Sequence, residues 1–498
     1  MRACAVHRHK GADVTLATEF DVVVVGAGPG GYSTALRAAE LGLSVALIER
    51  DERPGGTCLN RGCIPTKALI TAARAVEQAR AAERYGITIR VEDVDFGRLA
   101  DYRDQSVRTM TEGLAGLLRF RGITTIQGTA SIEPESTDAD DMHTVFVTLQ
   151  DGSMRSITTR HIILATGSRP RPLPTTPFSQ TVLSSDDALK LNTFPSSAVI
   201  IGSGAIALEF ASLWNAAGTQ VTLLVRRGGV LSHWDRRVSA TLTRELKRHG
   251  ITVITNTNVD EIETGVNLGA TVRYTRTVGR TTEQGVAAAE IVLAAIGRTP
   301  NTDADWFART GIALDEAGFV HTDDMGRTTV HGIWAVGDIT AGHQLAHRAF
   351  EQGITVAEAI AGLDPAPVDE ATVPSIVFSS PEAASVGLTK AEAQAQDGYT
   401  DVTETIYPMM GNARTMMIGE NGSITVVSAI DAASGDRVVA GIHMVGPEVS
   451  EIASEAEQIV GGKLPLSTVA RLIHPHPTFS EALGEALLKA DGRPLHMR

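Results

Sequence analysis

A repeat constrains this chain more than any other feature. Residues 21–51 read DVVVVGAGPGGYSTALRAAELGLSVALIERD, and the pattern returns ungapped 176 residues further on as SAVIIGSGAIALEFASLWNAAGTQVTLLVRR. Gly26 aligns with Gly202, Gly28 with Gly204 and Gly42 with Gly218. Each copy opens with an apolar, β-branched run, the pattern of a strand buried on both faces. A Gly-rich turn, a helical segment and a second apolar run follow. In the first copy these predict a strand over Asp21–Val25, a helix over Gly30–Leu41 and a strand ending near Glu49. Glycines at such a turn let a pyrophosphate approach the helix N-terminus, where unpaired N–H groups and the dipole favour anions. The chain is therefore expected to be α/β, with two Rossmann-like dinucleotide-binding domains.

The two copies differ where a ribose would sit. The first carries GxGxxG as Gly26, Gly28 and Gly31, and Glu49 can accept hydrogen bonds from free ribose hydroxyls, as in the adenosine half of FAD or NAD. In the second the third glycine is Ala207, and Val225 replaces the acid, followed at once by Arg226 and Arg227. A 2′-phosphate needs charge-assisted donors, which the guanidinium fork supplies in bidentate geometry. That pattern leads us to expect NADP(H) in preference to NAD(H); the plain alternative is two surface arginines after a strand.

Length allows more than two domains: 498 residues at roughly 150 per domain suggest about three. Hydrophobic residues at 43% and charged residues at 20% exclude a disordered chain. A net charge of −14 without long basic runs argues against nucleic acid as a partner. No apolar run approaches the roughly 18 residues of a membrane span, and the opening residues lack a signal-peptide core, so a cytoplasmic protein is expected. We read residues 1–19 as a loose tail, too short for a lipoyl-carrying domain, with Cys4 incidental and His7 and His9 solvated rather than metal-binding. The first unit then spans 20–170, the second 171–298, a return to the first 299–370, and a third, α+β domain 371–498, entered through the Pro-rich linker AGLDPAPVDEATVP.

Only three cysteines occur, which excludes a disulfide-stapled secreted scaffold. Two of them, Cys58 and Cys63, stand in GGTCLNRGCIPTKAL. Five residues of ideal helix rise about 7.5 Å, beyond the usual Cα separation of a disulfide. A bridge thus requires Cys58 on a loop or distorted first turn, with regular helix starting near Pro65. The spacing alone also fits some zinc sites, but no second cysteine pair completes one, and no metal is expected. A cysteine pair beside a dinucleotide unit points instead to redox chemistry.

GGTCLNRGCIPTK resembles the active-site signature of the FAD-dependent pyridine nucleotide–disulfide oxidoreductases. The resemblance runs on through ATGSRP (165–170), AIGRTPN (295–301), GIWAVGDIT (332–340), LAHRAFEQG (345–353), SSPEAASVGLT (379–389) and HPHPTFSEAL (474–483). It implies Cys63 as the flavin-side thiol, Cys58 as the interchange thiol, Lys67 near flavin N5 with Glu209 as its partner, and Asp338 on the ribityl hydroxyls. FAD would further meet Gly56, Thr57, Ala130, Thr166, Gly167, Leu345, Ala346 and His347; the pyridine nucleotide would meet Gly202, Gly204, Ala205, Ile206 and Gly297 with the two arginines. His476 and Glu481 match the family's acid/base pair, in which imidazole moves protons near neutral pH and a carboxylate orients it. The third domain would then be a dimerisation domain and the protein a homodimer.

Among family members, HPHPTFSEAL and LAHRAFEQG most resemble dihydrolipoamide dehydrogenase, whereas the second unit looks like the NADPH-dependent mycothione and glutathione reductases. A C-terminal GRPLHMR, without cysteines, argues against mercuric reductase and large thioredoxin reductases. The leading expectation is a dihydrolipoamide dehydrogenase-like enzyme acting on a small dithiol or disulfide, the alternative an NADPH-dependent reductase of a low-molecular-weight disulfide. A non-catalytic binding component sharing the fold would not need both cysteines together with His476 and Glu481.

Overall fold

Parallel sheets form where short apolar strands alternate with helices that cover both faces, and the repeat builds two of them. A computed structural model describes residues 18–133, 142–265 and 269–497; Cys4, His7 and His9 lie outside the described residues. Glu19–Val25 is the centre of the first sheet. It pairs in parallel with Val45–Glu49 on one side and Met154–Leu164 on the other, with Thr124–Ile132 and Ile333–Ala335 outside them. His143–Leu149 closes an antiparallel meander with Thr124–Ile132 and Met154–Leu164. The second sheet orders Thr252–Thr255, Gln220–Val225, Ser197–Ile201, Ile291–Ala294 and Val182–Leu183, all parallel. An antiparallel three-stranded sheet over Thr257–Ala289 is appended to it.

The repeat persists in register. Val22 pairs with Val45, and Ala198 pairs with Val221. Both turn glycines adopt positive φ, 104° at Gly26 and 144° at Gly202. A Cβ there would lie 2.3 Å from the Ala165 carbonyl oxygen and 2.2 Å from that of Ala295, so each strand–helix turn is pressed onto the neighbouring strand end. At the third position the copies part. A Cβ on Gly31 would fall 1.8 Å from the Gly26 oxygen, whereas the second turn is open enough to hold Ala207.

The helices run slightly beyond or short of the expected limits, at Pro29–Glu40 and Cys63–Ala81. The next begins at Phe96, where the Asp95 side chain accepts the Arg98 N–H and caps it. From residue 361 to 374 the chain has no helix or strand. Beyond it an antiparallel sheet runs Ser375–Val377, Glu382–Gly387, Arg437–Gly446, Ser423–Asp431, Tyr399–Pro408. Val426, Ile442 and Met444 pack there with Ile452, Leu483 and Leu487 from helices Val449–Gly461 and Glu481–Ala490.

Candidate active site

In a doubly wound sheet the binding crevice opens at the carboxyl ends of the strands, where the strand order reverses. Here that point lies between Val25 and Leu164, and a cavity of about 890 Å³ opens over it. Gly26, Gly28, Glu49, Thr57, Cys63 and Asp338 are among its lining residues. Gly28 heads helix Pro29–Glu40 and supplies no side-chain cap, so the first N–H groups of that helix face the cavity. Glu49 holds the turn beside it: its carboxylate accepts the Ala27 N–H at 2.7 Å and the Asp51 N–H at 2.9 Å. Burial pushes this carboxyl up, against the pull of those backbone donors.

The cysteine segment folds as two successive helices, Gly56–Arg61 and Cys63–Ala81, separated by Gly62 alone. This corrects the expected start of regular helix near Pro65: Cys58 lies inside a short helix and Cys63 is the first residue of the long one. A Cβ on Gly56 would stand 2.6 Å from the Gly28 Cα, so the cysteine segment lies against the Gly-rich turn. Both cysteines are thiols here, and both are partly buried. The Cys58 thiol donates to the Cys63 sulfur, which lowers the Cys63 pKa against the effect of burial; the Lys67 ammonium adds to the lowering. The same hydrogen bond and burial push Cys58 up. One thiol is thus poised as a thiolate and the other as its donor.

Lys67 Nζ bonds both carboxylate oxygens of Glu209, at 3.0 and 2.8 Å. Glu209 also accepts the Phe378 N–H at 3.1 Å, and the ammonium lies 4.7 Å from the Phe378 ring centre. One ion pair therefore ties the cysteine helix, the second unit and the C-terminal segment together. Two further residues, not singled out from sequence, complete the cavity wall. Ser168 Oγ donates to Asp338 Oδ2 at 2.6 Å, and Arg298 donates from Nε to Ser168 Oγ at 2.6 Å and from Nη2 to its carbonyl at 2.7 Å. They sit on the antiparallel pair Ser168–Pro170 and Arg298–Pro300. The sequence signal was present, since GSRP and GRTP each follow a buried strand, one in each unit. Tyr32 is the other addition: it packs, as Cys58 does, against the core of the first unit, its ring lies 5.6 Å from Phe350, and burial with the two nearby thiols pushes its hydroxyl up to about 12.

Most of the expected cavity residues are present, among them Gly56, Lys67, Ala130, Thr166, Gly167, Leu345 and Ala346. His347 is not: its Nε2 faces the Pro374 carbonyl at 2.7 Å, and it does not line the cavity, because the linker captures the ring. At the second turn Ala205 and Ile206 reach the cavity wall, while Gly202, Gly204 and Gly297 do not. Val225 is fully buried, and Arg226 and Arg227 are exposed, with no ion pair to a described residue.

His476 and Glu481 meet, Nδ1 to Oε1 at 2.8 Å, and the other oxygen of Glu481 accepts the Thr478 N–H at 2.8 Å. Their pair does not line the cavity of its own chain, and His476 is 77% exposed. His474 is not available as a metal ligand with His476, since both its nitrogens are engaged, by Glu455 and by the Leu472 carbonyl. Among the described residues no group of three or more His, Cys, Asp or Glu could hold a metal ion. None of the described helices is long and apolar enough to cross a membrane.

The residues fit a flavin dinucleotide. The uncapped helix turn at Gly28 suits a pyrophosphate, Glu49 a ribose, Asp338 a polyol, and Cys63 and Lys67 the redox-active ring system.

Comparisons with known proteins agree with this geometry. The family model described as pyridine nucleotide-disulphide oxidoreductase matches residues 20–353, and that of the dimerisation domain of the same family matches 373–487. A dihydrolipoyl dehydrogenase of Geobacillus stearothermophilus is 37% identical over 97% of this chain and 98% of its own length. One from Bacillus subtilis is 36% identical over 96% and 98%. The structure of LpdA from Mycobacterium tuberculosis superposes with a TM-score of 0.85 at 24% identity, over 95% of this chain and all of that one, and so attests the fold. Those matches and the redox pair make the chain a flavoprotein disulfide oxidoreductase of the dihydrolipoamide dehydrogenase type, and it belongs to the pyridine nucleotide-disulphide oxidoreductase family.

Proposed function

We propose that the protein moves two electrons between a small dithiol and NADP(H), with dihydrolipoamide as the dithiol. The observation that carries this reading is the pair of cysteines set in one cavity wall with the Lys67–Glu209 ion pair. In the oxidising direction His476 takes the proton of one substrate thiol, and that sulfur attacks Cys58 of the Cys58–Cys63 disulfide. Cys63 leaves as the thiolate that Lys67 stabilises. The second substrate thiol then attacks the mixed disulfide, releasing oxidised substrate and Cys58, which takes up a proton. Bound FAD would relay the two electrons from the cysteine pair to the pyridine nucleotide. Glu481 orients His476 throughout.

Because the His476–Glu481 pair stands apart from the cavity of its own chain, we assign it to the cysteines of a second subunit, in a homodimer built on the third domain. Mixing Cys58→Ser and His476→Gln variants under conditions of subunit exchange should then recover activity; a fully active monomer in sedimentation refutes the assignment.

A second reading, NADPH-dependent reduction of a low-molecular-weight disulfide such as glutathione disulfide or mycothione, draws on Val225, Arg226 and Arg227. The absence of a carboxylate at Val225 and the exposed arginines beside it also support NADP(H) in the first reading. Purified FAD-loaded protein assayed with dihydrolipoamide, glutathione disulfide and mycothione, each with both coenzymes, separates the two. Turnover with dihydrolipoamide well above that with either disulfide is expected, and the reverse overturns the leading reading.

A further inference from the structure

Cys58 rides on a helix too short to hold itself. Gly56–Arg61 is six residues long, and helices of that length are not stable on their own. Glycines bound it: Gly55 and Gly56 enter it at positive φ, and Gly62 ends it. Such residues leave the backbone free to pivot, so side-chain contacts must fix where Cys58 stands.

Three side chains do so. Leu59 is buried in the core of the first unit. Asn60 Nδ2 lies 3.1 Å from the Gly56 carbonyl and 3.3 Å from those of Arg53 and Pro54, which ties the helix to the segment that leads into it. Arg61 reaches further. Its Nη2 donates to Asp51 Oδ2 at 2.6 Å, and its Nε lies 3.7 Å from Asp186 Oδ2. Asp51 follows strand Val45–Glu49, and Glu49 accepts its N–H at 2.9 Å. Asp186 stands on helix Ser185–Ala188, just after strand Val182–Leu183 of the second sheet. All three charged side chains are more than two-thirds buried and line the same cavity as the cysteines. One guanidinium, set between Cys58 and Cys63 in sequence, therefore joins both nucleotide-binding units. Two carboxylates face its single charge, so what it supplies to Cys58 is place rather than field.

We propose that Arg61 is a positioning residue that holds the Cys58 helix against Cys63, through Asp51 of the first unit and Asp186 of the second, and thereby sets the reduction potential of the pair. The inference rests on Cys58 and Cys63 being the redox pair of the proposed reaction. A disulfide forms only when the two Cβ atoms come to about 3.8 Å. A helix already held there closes the bond at little cost in conformational entropy, whereas a loosened one must be ordered first. Losing the hold disfavours the disulfide, and the potential rises.

The test equilibrates full-length, FAD-loaded protein with dithiothreitol and its cyclic disulfide, then counts free thiols by alkylation and mass. In this exchange the protein disulfide takes up two electrons and two protons, and dithiothreitol loses them as it closes its ring. Arg61→Met should shift the equilibrium toward the dithiol by about threefold to tenfold, which is about 15–30 mV for a two-electron couple. The sign separates place from charge. Removing a cation that stabilised the Cys63 thiolate would disfavour the reduced pair and lower the potential, so a downward shift overturns the proposal, as does an unmoved couple. Arg61→Lys keeps the charge without the fork and should shift the couple in the same direction by about twofold to threefold; no shift there also overturns it. If Arg61→Met does not retain FAD, Arg61→Lys decides. Asp186→Asn should speed amide exchange across residues 56–61 of the reduced protein, and unchanged exchange overturns the hold assigned to the second unit. Unmodified protein whose two cysteines never exchange with the buffer would remove the redox-pair reading and this proposal with it. A normal couple that neither arginine variant moves removes the proposal alone.

Discussion

The sharpest consequence of the thiol pair concerns what Cys58 does while it is reduced. Its S–H, with the Lys67 ammonium, favours the Cys63 thiolate. Cys58→Ser keeps a donor in place, an O–H for an S–H, whereas Cys58→Ala removes it without adding bulk. A hydrogen bond to a charged group contributes roughly 1.5–3 kcal/mol, and a sulfur acceptor belongs at the low end. About 1.4 kcal/mol corresponds to one pH unit, so the Cys63 thiolate of the Cys58→Ala protein should titrate about one unit above that of Cys58→Ser. The sign follows from which form is stabilised: the thiolate is present above its pKa and lost as pH falls, and losing the donor makes that loss occur at higher pH. Thiolate against flavin gives a long-wavelength absorbance in the family the chain belongs to, so a spectrophotometric titration of the FAD-loaded variants reads it directly. Cys63→Ser should lack the band at every pH. Equal midpoints for the Ser and Ala variants would refute the donor role of Cys58, and a band persisting in Cys63→Ser would reverse the two assignments.

Other substitutions probe the frame. Arg226→Ala should narrow or reverse a preference for NADPH over NADH, mainly through KM and by about tenfold to a hundredfold at the 1.5–3 kcal/mol of a charged hydrogen bond; a wild-type enzyme that prefers NADH would place both arginines in solvent. Glu209→Gln removes the carboxylate that joins Lys67 to Phe378, and with Lys67 one-third exposed the cost is about 1–2 kcal/mol, read as a lower thermal midpoint. Gly31→Ala places a Cβ on the Gly26 carbonyl and should strip FAD from the purified protein, whereas Ala207→Gly, at the equivalent position of the second unit, should leave the FAD content unchanged.

Sequence reading reached as far as the local rules reach. The repeat carried its own register, since Val22 with Val45 and Ala198 with Val221 are one pairing met twice. Cys58, Cys63 and Lys67 lie within ten residues, and His476 and Glu481 within six, so the helix and turn that hold each set could be read from one segment. Where the reading slipped, a neighbouring group had intervened. Gly62 alone breaks the helix between the cysteines, so that regular helix starts at Cys63.

What stayed hidden was contact between distant segments. Ser168, Arg298 and Asp338 form one chain of hydrogen bonds over 170 residues of sequence, and neither pairing has a periodicity to betray it. Their order is nonetheless physical. Asp338 would be an isolated carboxylate in a half-buried wall, and a single serine hydroxyl satisfies it only if something else holds that serine. Arg298 does so with two bonds, one to the hydroxyl and one to the backbone, from the strand that returns out of the second unit. The flavin-side polar wall therefore depends on where the nucleotide-binding unit docks. His474 obeys the same logic at the other end of the site: its partner Glu455 lies 19 residues away on helix Val449–Gly461, and only that helix holds the ring of a histidine on an irregular segment. In both places a side chain legible in one segment is oriented by a group from an element that folding alone brings alongside.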